Sequence, residues 1–472
     1  MTAADILVVG CGLAGAAAAR VAADAGMRVR IIDAGLQGGV DSGCHVSADC
    51  RLTFASEARN RLTRGLLLPV EHEAAASAFG RGAEFAVGAG NGGAGLLWSG
   101  ICERLDAPTS EGREFLDNCV ERTYRPSEVL LGVIETVDPF TAAAFAAWPG
   151  IRSIKTASVR DGSLLRVPGP RDLLRGGGSA IDLLAGRVAT VIEHRSGHAT
   201  GVTALNLHTN DMEFQAADTV VVAADAVRSP ALLVASRLNP EPGFPVGQWL
   251  TDHPLAVARI AATTEEGRTL ADALRAGPEA MTCRGVVLAP GSGGSTRLIV
   301  SVPGGAPAQD LLMLYWYAVG YPNPNNELRF RKVADREFGL RGASVCLNAP
   351  IAPEDDLRRL LDDLTEVANR LGTPLRGWKP RLLPLGAAQH LFGTLRTALN
   401  PSAPGVTDAD GKVRGFQNLF VAGPARLPAP CATNPVLAST AAAIHMAGVI
   451  SGALPAHSAP WPKSAGRTEP RG

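Results

Sequence analysis

Ile6–Gly35 reads ILVVGCGLAGAAAARVAADAGMRVRIIDAG. Ile6–Val9 is a short apolar run, which predicts a buried parallel strand. Gly10-Cys11-Gly12-Leu13-Ala14-Gly15 follows without a break, then an Ala-rich helical segment to about Ala25, a stop at Gly26, and a second strand over Met27–Ile32 that ends on Asp33. Each part has a physical task in a dinucleotide-binding unit. Gly10 permits the tight turn, Gly12 lets backbone approach a pyrophosphate, and Gly15 lets helix and strand pack closely. The helix N-terminus offers unpaired N–H groups to the phosphates, and the Asp33 carboxylate suits ribose hydroxyls. Strand, helix, second strand and acid are in register, which sets this stretch apart from an ordinary glycine-rich turn. The stretch alone fits FAD in a two-domain flavoprotein or NAD in a short dehydrogenase, and the far end of the chain has to decide.

At 472 residues the chain suits two or three domains and can bury a large core. Its 45 basic and 45 acidic residues balance, so no nucleic-acid or anionic-membrane partner is expected. The eight cysteines include no CxxC and no Cys/His cluster, which argues against a metal site or a disulfide scaffold and fits a reduced cytosol. The N-terminal residues lack the pattern of a secretory signal, and the apolar segment Pro435–Ala456 contains Ser439 and His445, so it reads as a buried core helix. A cytoplasmic location is the expectation.

Gly88–Gly100, GAGNGGAGLLWSG, holds six glycines in thirteen residues. No regular helix or strand tolerates that density. Such a loop can lie flat against a ligand and present successive N–H groups, whereas a flexible linker would lack Leu96-Leu97-Trp98. Between Leu52 and Leu68 a helix is expected, and His45 and His72 read as surface or loop residues. Arg113–Val133 looks helical; Pro168–Pro170 and Gly176–Gly178 mark turns. Val188–Glu193, Gly201–Leu207 and Met212–Gln215 suggest a hairpin or three-stranded meander, and Thr219–Ala224 a buried strand. Candidate strands at Ala256–Ala262, Gly285–Ala289, Thr296–Val302, Leu311–Val319, Glu327–Phe330 and Ala343–Ala349 point to an antiparallel sheet. Pro353–Leu371 has acids in its first turn and an apolar stripe at helical spacing. Tyr315-Trp316-Tyr317 is either sheet core or the wall of a substrate pocket. His253, between Asp252 and Pro254, reads as structural.

Several stretches together resemble the glucose–methanol–choline (GMC) family of FAD-dependent alcohol oxidoreductases. They are GCGLAG with Asp33, GNGGAGLLW (90–98), VATVIEHRSGHATGVTAL (188–205), VVVAADAVRSPALLVAS (220–236), VGQWLTDHP (246–254), HLFGTLR (390–396), VTDADGKVRGFQNLFVAGPARLP (406–428) and ATNPVLASTAAAIHMAG (432–448). They touch roughly half of the chain, in order. The resemblance implies an α/β fold, α+β overall: a discontinuous Rossmann-like FAD domain of residues 1–135, 180–255 and 386–456 and an inserted antiparallel-sheet substrate domain of residues 136–179 and 256–385. From His457 on, Ser, Pro, Lys and Arg dominate, so a disordered tail is expected at 457–472. The resemblance implies FAD contacts from Gly10, Gly12, Leu13, Ala14, Gly15, Asp33 and Ala34, with Asp33 at the adenosine ribose. It implies further contacts from Asn91, Gly92, Gly93, Ala94 and Gly95 along the flavin, from Val188 near the adenine, and from Ala224, Gly423, Asn434, Pro435 and Val436. It assigns His390 and Asn434 as the catalytic pair.

The chain also departs from the family. Asp225 stands where many members have glycine, and Gly423 where the family often has Asp. Leu97 stands where some members attach FAD to a histidine, so the FAD is expected to be non-covalent. An insert of about 130 residues is short for the family, which suits an open pocket or a small soluble substrate.

An alcohol gives up hydride poorly while its oxygen keeps its proton, so a base must reach the hydroxyl. His390 suits that task, and Asn434 suits the developing alkoxide. The expected activity is oxidation of CH–OH to a carbonyl on a small-molecule alcohol, with O2 or another compound as electron acceptor. The polar Tyr315–Asn326 segment favours a polyhydroxylated substrate: a sugar, aminocyclitol or nucleoside. An apolar, steroid-like alcohol, a flavin-dependent lyase and a non-catalytic flavoprotein are the alternatives.

Overall fold

The structure is a computed structural model. It describes residues 3–35, 67–73, 85–105, 109–134, 152–161, 164–238, 244–275, 285–288, 296–301, 311–334, 341–400, 402–428 and 432–456. The residues from 52 to 66, His45 and the tail from residue 457 lie outside that set.

The architecture is mixed α/β with a Rossmann-type sheet at its centre. Strand β1 (Ala4–Val9) lies between β2 (Val29–Asp33) and a long strand, Met212–Val222, both parallel to it. Ile181–Ala185 extends the sheet beyond β2, and Leu419–Val421 pairs in parallel with Val220–Val222. Apolar side chains on both faces of β1 are buried, as a strand covered on two sides requires. Arg187–Arg195, His198–Asn206 and Met212–Val222 form the antiparallel three-stranded meander.

Helix α1 (Leu13–Asp24) follows β1 through the glycine turn. Gly10 has φ +101°, and a Cβ there would meet the Ala223 carbonyl oxygen at 2.6 Å. A Cβ on Gly15 would lie 2.1 Å from the Gly10 carbonyl oxygen and 3.1 Å from Ala223 Cβ. The turn is therefore packed against both β1 and its neighbouring strand. The buried alanines of α1 allow close approach to the final helix, Val436–Ile450, in which every residue from Leu437 to Gly448 is buried. Among the described residues no helix is long and apolar enough to cross a membrane.

A second, antiparallel sheet takes its strands from Leu255–Ala261, Leu311–Ala318, Thr296–Ser301, Gly285–Leu288 and shorter pieces. The helix Glu354–Leu371 covers it with Leu360, Leu364, Ala368 and Leu371. Asn326–Ala334 and Arg341–Leu347 do not join this sheet. They form a third one with Leu67–Glu73 and Phe85–Gly88, because Ser344–Cys346 pairs in parallel with Glu71–Glu73. Leu67, Leu68 and His72 are thus strand residues, where Leu67 and Leu68 read as helical and His72 as loop in sequence.

Arg113–Val133 is also broken. Two helices, Ser110–Cys119 and Glu121–Leu130, meet at Val120, whose φ/ψ of −132°/−42° is not helical. The break lets Cys119, Val120, Thr123 and Tyr124 all bury their side chains. Thr123 Oγ1 donates to the Ala441 carbonyl of the final helix at 2.7 Å.

Candidate active site

The parallel strands β1, β2 and Met212–Val222 end at one edge of the central sheet, where open α/β sheets bind ligands. A cavity of about 400 Å³ runs from this edge. Gly10, Gly12, Leu13, Ala14, Asp33 and Ala34 line one end. Gly12 caps α1 with extended φ/ψ and no side-chain hydrogen bond, so the first N–H groups of the helix remain open to an anion. Asp33 is buried, and its two oxygens accept from the Cys11 N–H at 2.7 Å and the Gly35 N–H at 2.8 Å. Burial pushes its carboxyl above the ordinary range, while those backbone donors and the Arg228 guanidinium pull it back.

Val188, Gly93, Ala94 and Gly95 form the cavity wall, with Ala224 and Gly423 beside them. Three of the residues singled out in sequence do not line it. Gly15 is spent on the helix–strand contact. Asn91 is buried against Gly35, and the Gly92 N–H is directed at Asp33. These three hold the wall from behind. Trp98 fixes the glycine loop, its Nε1–H donating to the Pro168 carbonyl at 2.7 Å.

Asp225 lines the cavity with φ +63°. That backbone favours glycine, and the aspartate compensates by capping its own helix: Oδ1 accepts from the N–H groups of Val227 at 2.7 Å and Arg228 at 2.9 Å. Asp225→Ala keeps the strained φ and loses the cap, so it should cost about 2 kcal/mol. Asp225→Gly relieves the strain and should cost well under half of that. Thermal melting of the two variants checks the order, and equal melting points would refute the capping account.

His390, Asn434, Pro435 and Val436 line the same cavity. A backbone bridge brings the histidine there. Thr251 and Phe392 pair antiparallel, each N–H donating to the other's carbonyl at 3.1 and 3.0 Å. Two residues outward from that pair, His253 and His390 fall opposite each other on one face. Their ring centroids are 5.2 Å apart at 81°. Gly393 makes the bridge possible: its φ is +90°, and a Cβ there would meet the Trp249 carbonyl at 2.6 Å. Asp252 accepts from the His390 N–H at 3.1 Å. Burial raises the Asp252 carboxyl to about 6 against the opposing pull of backbone donors. The positive φ values of Trp249 (66°) and Gln389 (56°) flank the same bridge, a concentration of backbone strain of the kind found at functional sites.

Tyr317 stacks on His390, with centroids 5.7 Å apart and planes at 23°. Leu255 pairs with Tyr317 in the second sheet, so the chain that leaves His253 carries Tyr317 to the site. His390 Nδ1 is buried with no hydrogen-bond partner among the described residues. Burial, and then the neighbouring His253, lower its pKa well below the ordinary 6.5. Asn434 Oδ1 accepts from the Val436 N–H at 3.0 Å and so caps the final helix. A backbone N–H can meet only an acceptor, which fixes the amide's orientation and leaves its Nδ2 donors on the cavity side.

Sequence reasoning missed two neighbours of His390. His253 is a structural residue by its surroundings, yet it shapes the electrostatics of His390. Glu103 is buried and lines a second, small cavity with His390, Asn434 and Tyr317. A lone acid in the apolar Ile101-Cys102-Glu103 run was the available signal for it.

Two family profiles described as GMC oxidoreductase match residues 175–255 and 383–443. A C-glycoside 3-oxidase of Microbacterium trichothecenolyticum is 26% identical over 390 residues, which cover 75% of this chain and 73% of that protein. A pyranose 2-oxidase of Tricholoma matsutake is 34% identical over 122 residues, 26% of this chain and 22% of that protein. Among solved structures, a pyridoxine 4-oxidase from Mesorbium loti superposes with a TM-score of 0.64 at 19% identity, covering 94% of this chain and 98% of that one. A variant of the formate oxidase of Aspergillus oryzae RIB40 superposes with a TM-score of 0.69 at 15% identity, covering 96% and 98%.

Proposed function

The chain belongs to the GMC oxidoreductase family, FAD enzymes acting on CH–OH groups, and from that premise we propose that it oxidises one hydroxyl of a small polyhydroxylated compound to a carbonyl. The observation that carries this reading is the meeting of His390 and Asn434 in a cavity that the open helix N-terminus at Gly12 and Leu13 also lines. The donor set fits FAD: open N–H groups for a pyrophosphate, Asp33 for ribose hydroxyls, and the flat backbone of Gly93–Gly95 for a ring. Leu97 lines the same cavity and carries no nucleophile, which supports non-covalent binding. We take residues 1–135, 180–255 and 386–456 as the cofactor unit and 136–179 with 256–385 as the substrate unit.

FAD bound in this cavity supplies the hydride acceptor for the alcohol carbon. The protein handles the proton. With Nδ1 buried, Nε2 is the His390 nitrogen that accepts the substrate's hydroxyl proton, and its low pKa keeps the ring neutral and able to accept. Asn434 donates from Nδ2 to the same oxygen as negative charge develops on it. Tyr317, stacked on His390, holds the ring at its angle. The sugar-oxidising relatives support a polyhydroxylated substrate, and O2 is the acceptor their names suggest.

The purified protein should be yellow and should bleach anaerobically when titrated with one member of a panel of sugars, C-glycosides, aminocyclitols and nucleosides. Readmitted air should restore the colour if O2 is the acceptor. A protein that binds no FAD, or FAD that no alcohol bleaches, would overturn the proposal.

A further inference from the structure

We propose that Arg228 is a cofactor-binding residue of this site: its guanidinium, held by Asp225, donates to the adenosine-phosphate half of FAD. This inference rests on the reading of the cavity as an FAD site and names the part of the cofactor that a residue outside the glycine turn serves.

Arg228 stands one turn into the helix Asp225–Ala235, which follows the central strand Met212–Val222. Its Nε donates to Asp225 Oδ2 at 2.6 Å, and its Nη2 donates to the Gly88 carbonyl. Gly88 ends the strand Phe85–Gly88 and is packed under the glycine loop, where a Cβ would meet the Ala94 nitrogen at 2.1 Å. The guanidinium is thus fixed to two separate elements. A planar fork already held at two corners loses little freedom when it binds a third group. The side chain is 20% exposed and lines the cavity, and its Nη1 makes no hydrogen bond among the described residues.

Two carboxylates, Asp33 and Asp225, line the cavity with it. The Arg228 charge acts on Asp33, the acceptor proposed for the ribose hydroxyls, which places the cation at the adenosine half of the cofactor. A dinucleotide adds two phosphate charges to those two acids. Like charges repel strongly in a partly enclosed site, so a cation beside both acids offsets the cost of bringing in the phosphates, and a guanidinium N–H on a phosphate or ribose oxygen adds a charge-assisted bond. Arg187, the other arginine of the cavity wall, is directed elsewhere. Its Nε faces Glu213 at 3.4 Å, and its Nη1 donates to the Ala185 carbonyl at 2.9 Å. The aspartate that replaces the family's usual glycine therefore does more than cap its own helix: it aims Arg228.

Arg228→Gln tests this, because it removes the charge and keeps a donor for the Gly88 carbonyl. Arg228→Lys keeps the charge. Each apoprotein is titrated with FAD, uptake being followed by the loss of free-flavin fluorescence. ADP, which carries the adenosine phosphate without a flavin, is then added as competitor. Melting points of the apoproteins monitor the fold. Arg228→Gln should bind FAD about 10- to 100-fold more weakly than the wild type, and Arg228→Lys should recover most of that loss. ADP should compete with FAD in the wild type and lose affinity for Arg228→Gln by a similar factor. At saturating FAD the limiting rate of bleaching by substrate should stay within a few-fold of wild type, because the flavin half is untouched. Equal FAD affinity in wild type and Arg228→Gln would overturn the role of Arg228. So would ADP that competes equally well in both proteins, or that does not compete in the wild type at all. A loss that Arg228→Lys shares in full would assign the effect to packing and overturn it as well. A wild type that takes up no FAD would overturn the functional reading itself, and this inference with it.

Discussion

His390→Ala should give a yellow protein whose flavin is reduced by substrate on the order of 10³-fold more slowly than in the wild type, the usual contribution of a positioned base. FAD content should not change, because the groups that suit its pyrophosphate and ribose, the open N-terminus of α1 and Asp33, belong to other elements than His390. The pH profile carries the same assignment. Burial and His253 hold the His390 pKa well below 6.5, so the ring stays neutral and able to accept a proton as the pH falls through 6.5. The rate of flavin reduction in the wild type should therefore be level from pH 8 to below 6.5 and decline only at more acid pH, as His390 protonates. That acid limb should vanish in the variant. Rapid-mixing measurements across this range decide the matter; an unchanged rate in His390→Ala would remove the base from the mechanism.

Gly15→Val should abolish FAD retention. Even the first carbon of a side chain at Gly15 would sit 2.1 Å from the Gly10 carbonyl oxygen, with Ala223 Cβ at 3.1 Å behind it. Both obstacles belong to packed backbone and core, so α1 must shift away from β1. The N–H groups that Gly12 leaves open then lose their aim at the cofactor. The expected product is a colourless protein with a lowered melting point that does not recover colour with added FAD. A yellow protein with wild-type FAD stoichiometry would show that the turn has slack the packing does not suggest.

The glycine turn was legible in the sequence because its constraints are local. Gly10, Gly12, Gly15 and Asp33 do their work within one strand–turn–helix–strand unit, where spacing alone carries the information. The surroundings of His390 were less legible because they are assembled across the chain. The register that sets His253 against His390 depends on one bridge between Thr251 and Phe392, and periodicity holds no trace of it. The stretch Tyr315-Trp316-Tyr317 divides between core and cavity. Trp316 points into the sheet core at 1% exposure, while Tyr317 alternates to the other face and lines the site. The division of Arg113–Val133 at Val120 was hidden for a related reason: its cause is the final helix, more than 300 residues downstream, against which Thr123 bonds. Leu67–Glu73 reads as strand only once its partners Phe85–Gly88 and Ser344–Cys346 are known.

The central sheet also dictates an order of events during synthesis. β1 pairs with Ala217–Val222, and that strand pairs in turn with Leu419–Val421. A ribosome making about 5–20 residues per second therefore takes about 10–40 s to travel the roughly 200 residues from one partner to the next. During that interval Val220–Val222 presents a bare, apolar strand edge, the kind that invites pairing with another chain. The glycine turn and its helix are made before the rest of the sheet, but their neighbour, the apolar helix Val436–Ile450, follows only after the last strand, Leu419–Val421. Nascent chains stalled before Leu419 should then be good clients for chaperones that shield β-edges, and the yield of soluble protein should depend on how quickly the ribosome crosses the middle of the message.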